Sequence, residues 1–102
     1  MILAKYEKQP AEVKDYDIDY AEWLGPVGDT VATATTTVTC DTEPVPTLLV
    51  DSVETSDTLV KLWVSGGTAG ARYKITVRMT TTGFAGKTRK DESELVFTVK
   101  EY

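Results

Sequence analysis

The sequence predicts an all-β fold, an antiparallel sandwich of six or seven strands, and three observations support it. The chain contains 17 threonines, which are β-branched residues that favour pleated, half-buried surfaces and disfavour helices. No long segment has the i, i+3, i+4, i+7 apolar spacing of a helix, whereas apolar and polar residues repeatedly alternate with a period of two. The length of 102 residues suits one sandwich core.

The chain is expected to begin with a short arm. Residues 1–13 resemble a sandwich less than the rest of the chain, and residues 8–12 within them contain Pro10 and show no alternation. This predicts an extended N-terminal arm that either packs along an edge strand or waits for a partner. Residues 14–102 are expected to form the sandwich domain.

The first predicted strand of the sandwich has one acidic face. Tyr and Ile at every second position from Tyr16 to Tyr20 alternate with Asp15, Asp17 and Asp19, so the carboxylates are expected to face solvent. One helical turn is expected at residues 21–24.

The middle of the chain predicts three more strands. Residues 30–40 form a Thr/Val/Ala run whose buried face stays undecided, because Val31 and Val38 have opposite parity. Residues 48–53 and 59–65 are separated by a turn-rich segment, 54–57, and predict a hairpin.

The last two predicted strands alternate most clearly and are joined by a turn at residues 82–86. In the strand before them Lys61 is expected to point outward. The residues expected to point inward from these three strands are Val60, Leu62, Val64, Tyr73, Ile75, Val77, Met79, Leu95, Phe97 and Val99.

Composition argues against catalysis and several ligand classes. The 16 acidic residues outnumber the 11 basic ones, and a net charge of −5 disfavours non-specific binding to nucleic acid or anionic membranes. The absence of histidine removes the commonest general base and zinc ligand. Cys40 is the single cysteine and is expected to be reduced and partly buried. We expect no enzyme activity, no cofactor, no metal, no targeting segment and no membrane span.

Two segments match only part of a known ligand-binding motif, one for phosphate and one for calcium. Gly86-Lys87-Thr88 has the last three letters of a phosphate-binding loop, but Thr81 stands where that loop needs its first glycine, and a strand rather than a helix is expected to follow. Nucleotide binding is therefore not expected.

The spacing of the aspartates at 15, 17 and 19 matches the first three ligand positions of a calcium-binding loop. Such a loop needs glycine at its sixth position and glutamate at its twelfth, where this chain has Tyr20 and Pro26. A solvated strand face is the favoured interpretation, and a cation held with help from a neighbouring loop is the alternative.

The strongest local signal is a cluster of glycines, Gly66, Gly67 and Gly70. It indicates positive φ angles or close backbone approach, and no helix follows it that would make a nucleotide fingerprint. In immunoglobulin-like sandwiches a tyrosine near the start of a late strand returns its hydroxyl to upstream backbone. Gly66, Gly67, Gly70 and Tyr73 are therefore interpreted as a structural corner rather than a ligand loop.

Charge is distributed unevenly along the chain. Residues 1–57 carry a net charge of −9 and residues 58–102 a net charge of +4. Either these opposite charges face each other within one domain, or the two ends of the molecule have opposite potentials. In the second case identical copies would pack head to tail, a contact that can close into a ring.

Two segments resemble a known family. The first, with Asp15 to Leu24 followed by Asp29-Thr30-Val31, is similar to a segment that opens small structural proteins of tailed phages. The second runs from Trp63 to Thr76, with Ser65-Gly66-Gly67-Thr68-Ala69-Gly70 at its centre. On both segments the chain resembles the phage fiber–tail adaptor family. The resemblance implies an immunoglobulin-like fold, a virion component joining tail or connector to fibers, and no catalytic residues.

A partner-binding role defines the candidate site residues. One contact surface is expected at Pro10, Val13, Asp15, Asp17 and Asp19, and a basic complement at Arg72, Lys74, Arg78, Arg89 and Lys90. The expected partners are phage tail, connector or fiber proteins and further copies in a ring, with no nucleic acid and no membrane. The protein is expected to assemble in the host cytoplasm and reside in the virion.

Two other functions are weighed against this one. A carbohydrate-binding or adhesin-like sandwich would need exposed aromatic residues, for which Trp63, Tyr6, Tyr102 and Phe84 are the candidates. A capsid decoration protein is the third alternative.

Overall fold

A computed structural model, which describes residues 2–101, confirms the predicted all-β sandwich. A four-stranded sheet with strand order β1-β7-β6-β3 packs on a three-stranded sheet with strand order β2-β5-β4. In chain order the elements are β1 (Ile2–Lys8), β2 (Lys14–Asp19), α1 (Ala21–Leu24), a 3₁₀ turn (Gly25–Val27), β3 (Val31–Cys40), β4 (Leu48–Ser56), β5 (Leu59–Gly66), β6 (Arg72–Thr81) and β7 (Lys90–Val99).

One strand pair departs from the predicted antiparallel arrangement. The pairs β2–β5, β4–β5, β3–β6 and β6–β7 are antiparallel, but β1 runs parallel to β7, with Lys8 opposite Val99. Residues 2–8 of the predicted arm thus form the edge strand β1 and pair with β7, which becomes an interior strand of the sheet. Alternation in sequence reports which side of a strand is buried and carries no information on the direction of its neighbour.

The core lies between the two sheets and contains the residues that the alternation of apolar and polar positions predicted. All ten residues predicted to point inward from β5, β6 and β7 are at most 1% exposed. Full burial of one such aliphatic or aromatic side chain stabilises the fold by about 1.5–3 kcal/mol. Lys61, opposite Asp17 on β2, points outward as expected.

The undecided parity of β3 is resolved by a bulge. The pairing of β3 with β6 shifts register between Val31 and Thr33, so the strand changes phase by one residue there. Because of this change of phase, Val31 before the bulge and Val38 after it both face the core. Val31 is 8% exposed, and Val38 is partly buried.

Two predicted turns are corrected. Strand β4 continues to Ser56, so the segment 54–57 is not a linker, and the hairpin turns at Asp57-Thr58. Asp57 has φ 49°, the positive value that tight hairpins require and aspartate tolerates. The turn predicted at 82–86 is longer and occupies residues 82–89, with a single bridge between Phe84 and Lys87. The helical turn at 21–24 is confirmed.

The molecule measures 48 × 22 × 20 Å and has two distinct ends. We call the end with the β1–β2, β3–β4 and β5–β6 connections the corner end. The opposite end, with α1, the β4–β5 turn and the β6–β7 connection, is called the helix end. Both halves of the chain supply strands that run between these ends, so the −9 and +4 halves do not correspond to the two ends.

Candidate interaction surfaces

The outer face of the three-stranded sheet is acidic. Asp15, Asp17 and Asp19 of β2 and Glu54 of β4 surround a single cation, Lys61 of β5, and give this acidic face a net charge of −3. The Lys61 ammonium lies 3.0 Å from an Asp15 oxygen and 3.7 Å from an Asp17 oxygen. Its hydrogen bond lowers the pKa of the Asp15 carboxyl.

The outer face of the four-stranded sheet has the opposite sign. Five cations and three carboxylates of its strands face outward, for a net charge of +2, and we call this the basic face. Its members are Lys5, Glu7, Arg72, Lys74, Arg78, Lys90, Glu92 and Glu94. Opposite charges in this chain therefore lie on opposite faces of the sandwich, which the order of residues along the chain could not reveal.

Some cations of the basic face already have partners. The Arg78 guanidinium donates to Glu92 at 2.8 Å, and the Lys74 ammonium lies 3.9 Å from Glu94. Within residues 2–101, Arg72 and Lys90 form no ion pair. Such exposed pairs contribute at most about 1 kcal/mol each, so they can be exchanged for contacts with a partner.

Arg89 does not join the other predicted cations. Its guanidinium lies 3.6 Å from the buried Asp29 carboxylate and stacks 4.6 Å from the centre of the Trp23 ring, at the helix end. Asp29 also accepts hydrogen bonds from the backbone N–H groups of Thr30 (2.8 Å) and Gly83 (3.0 Å). Burial alone raises the pKa of the Asp29 carboxyl, but these hydrogen bonds outweigh it and lower the pKa.

Pro10 and Val13 lie in the connection between β1 and β2, at the corner end. Val13 is 61% exposed, so it is available to a partner. The buried Lys8 fixes this connection because its ammonium donates to the carbonyl oxygens of Gln9 at 2.8 Å and Gly66 at 2.7 Å. Burial lowers the pKa of the Lys8 ammonium. Pro10 and Val13 thus sit near the glycine cluster rather than on the acidic face.

The glycine cluster and Tyr73 form a tightly bonded turn. Gly66, Gly67 and Gly70 have φ values of 74°, 98° and 89°. The hydroxyl of the buried Tyr73 accepts a hydrogen bond from the Thr68 backbone N–H at 2.9 Å and donates one to the Glu43 carboxylate at 2.5 Å. This hydroxyl thereby ties the β5–β6 connection to the β3–β4 connection.

Glu43 makes the stability of this turn depend on pH. Hydrogen bonds from Tyr73, then from Thr68 and Thr47, lower the pKa of the Glu43 carboxyl from 4.5 to about 2. A carboxyl with a depressed pKa stabilises the fold above its unfolded pKa, and this contribution disappears as the pH falls towards about 2.

We expect Glu43→Gln to be less stable than the wild type at neutral pH. The difference in melting temperature should shrink as the pH falls from 4.5 to about 2, because the wild type then loses its advantage. Thermal unfolding followed by circular dichroism across this range measures it. Parallel curves for the two proteins would show that Glu43 is not the responsible carboxyl.

The aromatic residues considered for sugar binding do not form one platform. Tyr6 packs between Tyr16 and Phe97, with ring centres 4.6 and 5.1 Å away. The Trp63 indole lies on the acidic face and donates to Glu54 at 3.1 Å. Phe84, 54% exposed, is in the β6–β7 connection, and Tyr102 lies outside the described residues.

One apolar surface was missed from the sequence. Leu3 and Trp23, 43% and 40% exposed, border a shallow cleft of about 330 Å³ at the helix end, with Ile18 and Tyr20 at its base. The cleft forms because β1 is placed beside β7, and the alternation pattern contained no signal for that placement.

Two kinds of feature, clustered metal ligands and membrane-spanning helices, are not found in the described part of the chain. Residues 2–101 contain no group of three or more cysteine and carboxylate side chains positioned to hold a metal ion. They also contain no helix with the length and apolar character needed to cross a bilayer.

The similarity of this chain to known proteins is seen at the level of a family. The family model described as "Podophage GP4 fiber-tail adaptor protein gp77" matches residues 8–98, nearly the whole chain. No curated protein is similar enough to this chain to count as a match. The matched residues include the acidic face, the glycine cluster and every member of the basic face except Lys5 and Glu7.

Proposed function

This chain belongs to the podophage GP4 fiber-tail adaptor family, and from that membership we propose that it joins the tail or connector of a phage particle to its fibers through protein–protein contacts. The family indicates a structural role in the tail and a place in the virion. The match over residues 8–98 is the observation that carries this proposal. The two oppositely charged outer faces supply surfaces suited to such contacts.

We infer that the sandwich is immunoglobulin-like. With β2 to β7 taken as strands B to G, the sheet orders β2-β5-β4 and β7-β6-β3 are the B-E-D and G-F-C orders of that fold. Tyr73, the second residue of β6, bonds through its hydroxyl to backbone five residues upstream, as the tyrosine corner of such domains does. This architecture leaves both outer faces free for partners.

The charge pattern supports self-association into a ring. The acidic face of one copy complements the basic face of the next, and a contact between two different faces of the same protein is heterologous. Such contacts close into a ring when the rotation between neighbours divides a full turn. Three cations of the basic face, Lys5, Arg72 and Lys90, have no ion pair within residues 2–101 and are the ones most available to the neighbouring copy.

We expect the double variant Arg72→Glu/Arg78→Glu to lose this self-association. It reverses two charges on the basic face and brings carboxylates against the acidic face of the neighbour, which should weaken assembly at least tenfold at low salt. Light scattering and electron microscopy measure it.

The control Lys14→Glu/Lys87→Glu changes net charge equally outside the basic face. It should assemble like the wild type. Unchanged assembly of the Arg72→Glu/Arg78→Glu variant would contradict pairing through charge, and so would assembly that is insensitive to salt.

The adaptor role is tested in the phage. Particles produced without this protein should carry DNA-filled heads and tails but lack fibers, because the joining component is absent. Supplying the wild-type protein should restore fiber attachment. Particles that keep their fibers without it would contradict the proposal.

A further inference from the structure

Strand β3 is an edge strand without charge. It ends the four-stranded sheet, and none of its ten residues, Val31–Cys40, is charged or proline. The other three edge strands each carry charged residues: β1 has Lys5, Glu7 and Lys8, β2 has Lys14 and three aspartates, and β4 has Asp51 and Glu54. Charges and prolines are the usual means by which proteins keep exposed edges from pairing.

The core beneath this edge is incompletely covered. The inward-facing apolar residues of β3, Ala34, Val38 and Cys40, and those of its neighbour across the sandwich, Val50 and Val53 of β4, are only partly buried. At the opposite seam, between β1 and β2, the tyrosines of both strands pack on Phe97 and fill the space. An additional strand beside β3 would cover the open seam with its own inward side chains.

We propose that β3 pairs with β3 of a second copy, antiparallel across a two-fold axis, so that two four-stranded sheets form one continuous sheet of eight strands. The regular part of β3 after the bulge, Thr33 to Thr39, is long enough for a seven-residue ladder. This contact goes beyond the adaptor role and does not depend on it.

The sequence of β3 is compatible with itself in this arrangement. With Thr36 on the axis, Thr33 meets Thr39 and Thr35 meets Thr37 on the outer face, while Ala34 meets Val38 on the inner face. Threonine pairs and aliphatic pairs are both favourable cross-strand neighbours. The edge backbone groups, exposed in one copy, gain partners in the dimer.

The uncharged, self-compatible sequence of β3 favours a second copy as the occupant, because this strand carries no charge that would repel an identical strand. Self-pairing of β2, in contrast, would set its three aspartates against those of another copy. Among the four edges β3 is the one without a charged residue, so it can meet itself in any register without like charges in contact. The contact should also be insensitive to salt, unlike contacts between the charged faces.

The first test blocks the edge with charge. In Thr35→Lys/Thr37→Lys, two exposed side chains of β3 become like charges across the axis, and we expect dimerisation to weaken at least tenfold. The control Thr80→Lys/Thr98→Lys adds the same charge on the same outer face, on the interior strands β6 and β7. Sedimentation equilibrium in high salt measures dimerisation, because salt suppresses contacts between the charged faces.

The second test fixes the register. In Thr36→Cys/Cys40→Ser the two new thiols would face each other at the axis, within reach of a disulfide, so oxidation should give a covalent dimer at high yield. The control Thr80→Cys/Cys40→Ser should give no covalent dimer, because its thiol lies on an interior strand.

Two results would overturn the proposal. The first is a wild type that is monomeric at all accessible concentrations, and the second is a Thr35→Lys/Thr37→Lys variant that dimerises as the wild type does. Neither test involves the fiber or the tail, so their failure would leave the adaptor role intact.

Discussion

Gly66→Ala is expected to destabilise the protein by about 2–5 kcal/mol. At φ 74° an alanine costs about 1–2 kcal/mol because its Cβ crowds the following carbonyl. The added Cβ would also lie 2.5 Å from the Thr47 carbonyl oxygen, which is backbone and cannot swing away. Relieving that clash by moving the strands costs a further 1–3 kcal/mol or so.

The damage should spread from Gly66 to its neighbours. Its carbonyl oxygen accepts the hydrogen bond from the buried Lys8 ammonium, and the Thr47 carbonyl accepts one from the Gly67 N–H at 3.2 Å. A shift at Gly66 therefore loosens both the β1–β2 and the β3–β4 connections.

Gly70→Ala is the matched control for this experiment. Gly70 has a similar φ of 89°, but an added Cβ would meet nothing within 4 Å. Only the backbone cost of about 1–2 kcal/mol should appear. Urea unfolding measures both variants, and equal losses would show that the close approach to Thr47 does not contribute.

Asp29→Ala is expected to lower the melting temperature by about 10–20 °C. The side chain of Asp29 is fully buried and joins two connections of the helix end, the one before β3 and the one between β6 and β7. Its removal leaves the N–H groups of Thr30 and Gly83 without their acceptor and the Arg89 guanidinium without its counter-charge. Leaving buried N–H groups without an acceptor, and a partly buried cation without its counter-charge, is among the costlier single changes.

Asp29→Asn separates the loss of the hydrogen-bond acceptor from the loss of the negative charge. The amide oxygen can still accept from Thr30 and Gly83, while the negative charge facing Arg89 is lost. We expect a fall about half that of the alanine variant, measured by the same thermal unfolding. A melting temperature for Asp29→Ala within about 4 °C of the wild type would show that the carboxylate does not hold the helix end together.

The buried faces of the strands could be predicted because they depend on local sequence alone. Side chains alternate strictly along a strand, so Tyr73, Ile75 and Val77 identify the core side of β6 without reference to any other strand. The same logic failed at β3, where the bulge between Val31 and Thr33 interrupts the alternation. In a run of threonine, valine and alanine, no residue type indicates where a bulge occurs.

Features that depend on which strands are neighbours could not be predicted. The pairing of β1 with β7 joins residues from opposite ends of the chain, and it creates the cleft beside Leu3 and Trp23. The arrangement of charge has the same origin. Both sheets combine strands from the two halves of the chain. The acidic and basic side chains therefore lie on opposite faces of the sandwich rather than at its two ends.

Arg89 illustrates the limit for single residues. By composition it belongs with Arg72 and Arg78, and sequence alone places all three in one basic group. The structure turns Arg89 towards Asp29 and Trp23, which lie far earlier in the chain, and there it supports the helix end. Asp29 and Trp23 are distant from Arg89 in the sequence, so no local sequence pattern could predict these contacts.

The position of the protein in the phage particle tests the adaptor role most directly. Electron cryo-microscopy of intact particles, compared with particles lacking this chain, should reveal density for sandwiches about 48 Å long between the tail or connector and the base of each fiber. That density should contact both components. Density on the capsid surface, or at the fiber tip away from the tail, would contradict the adaptor role.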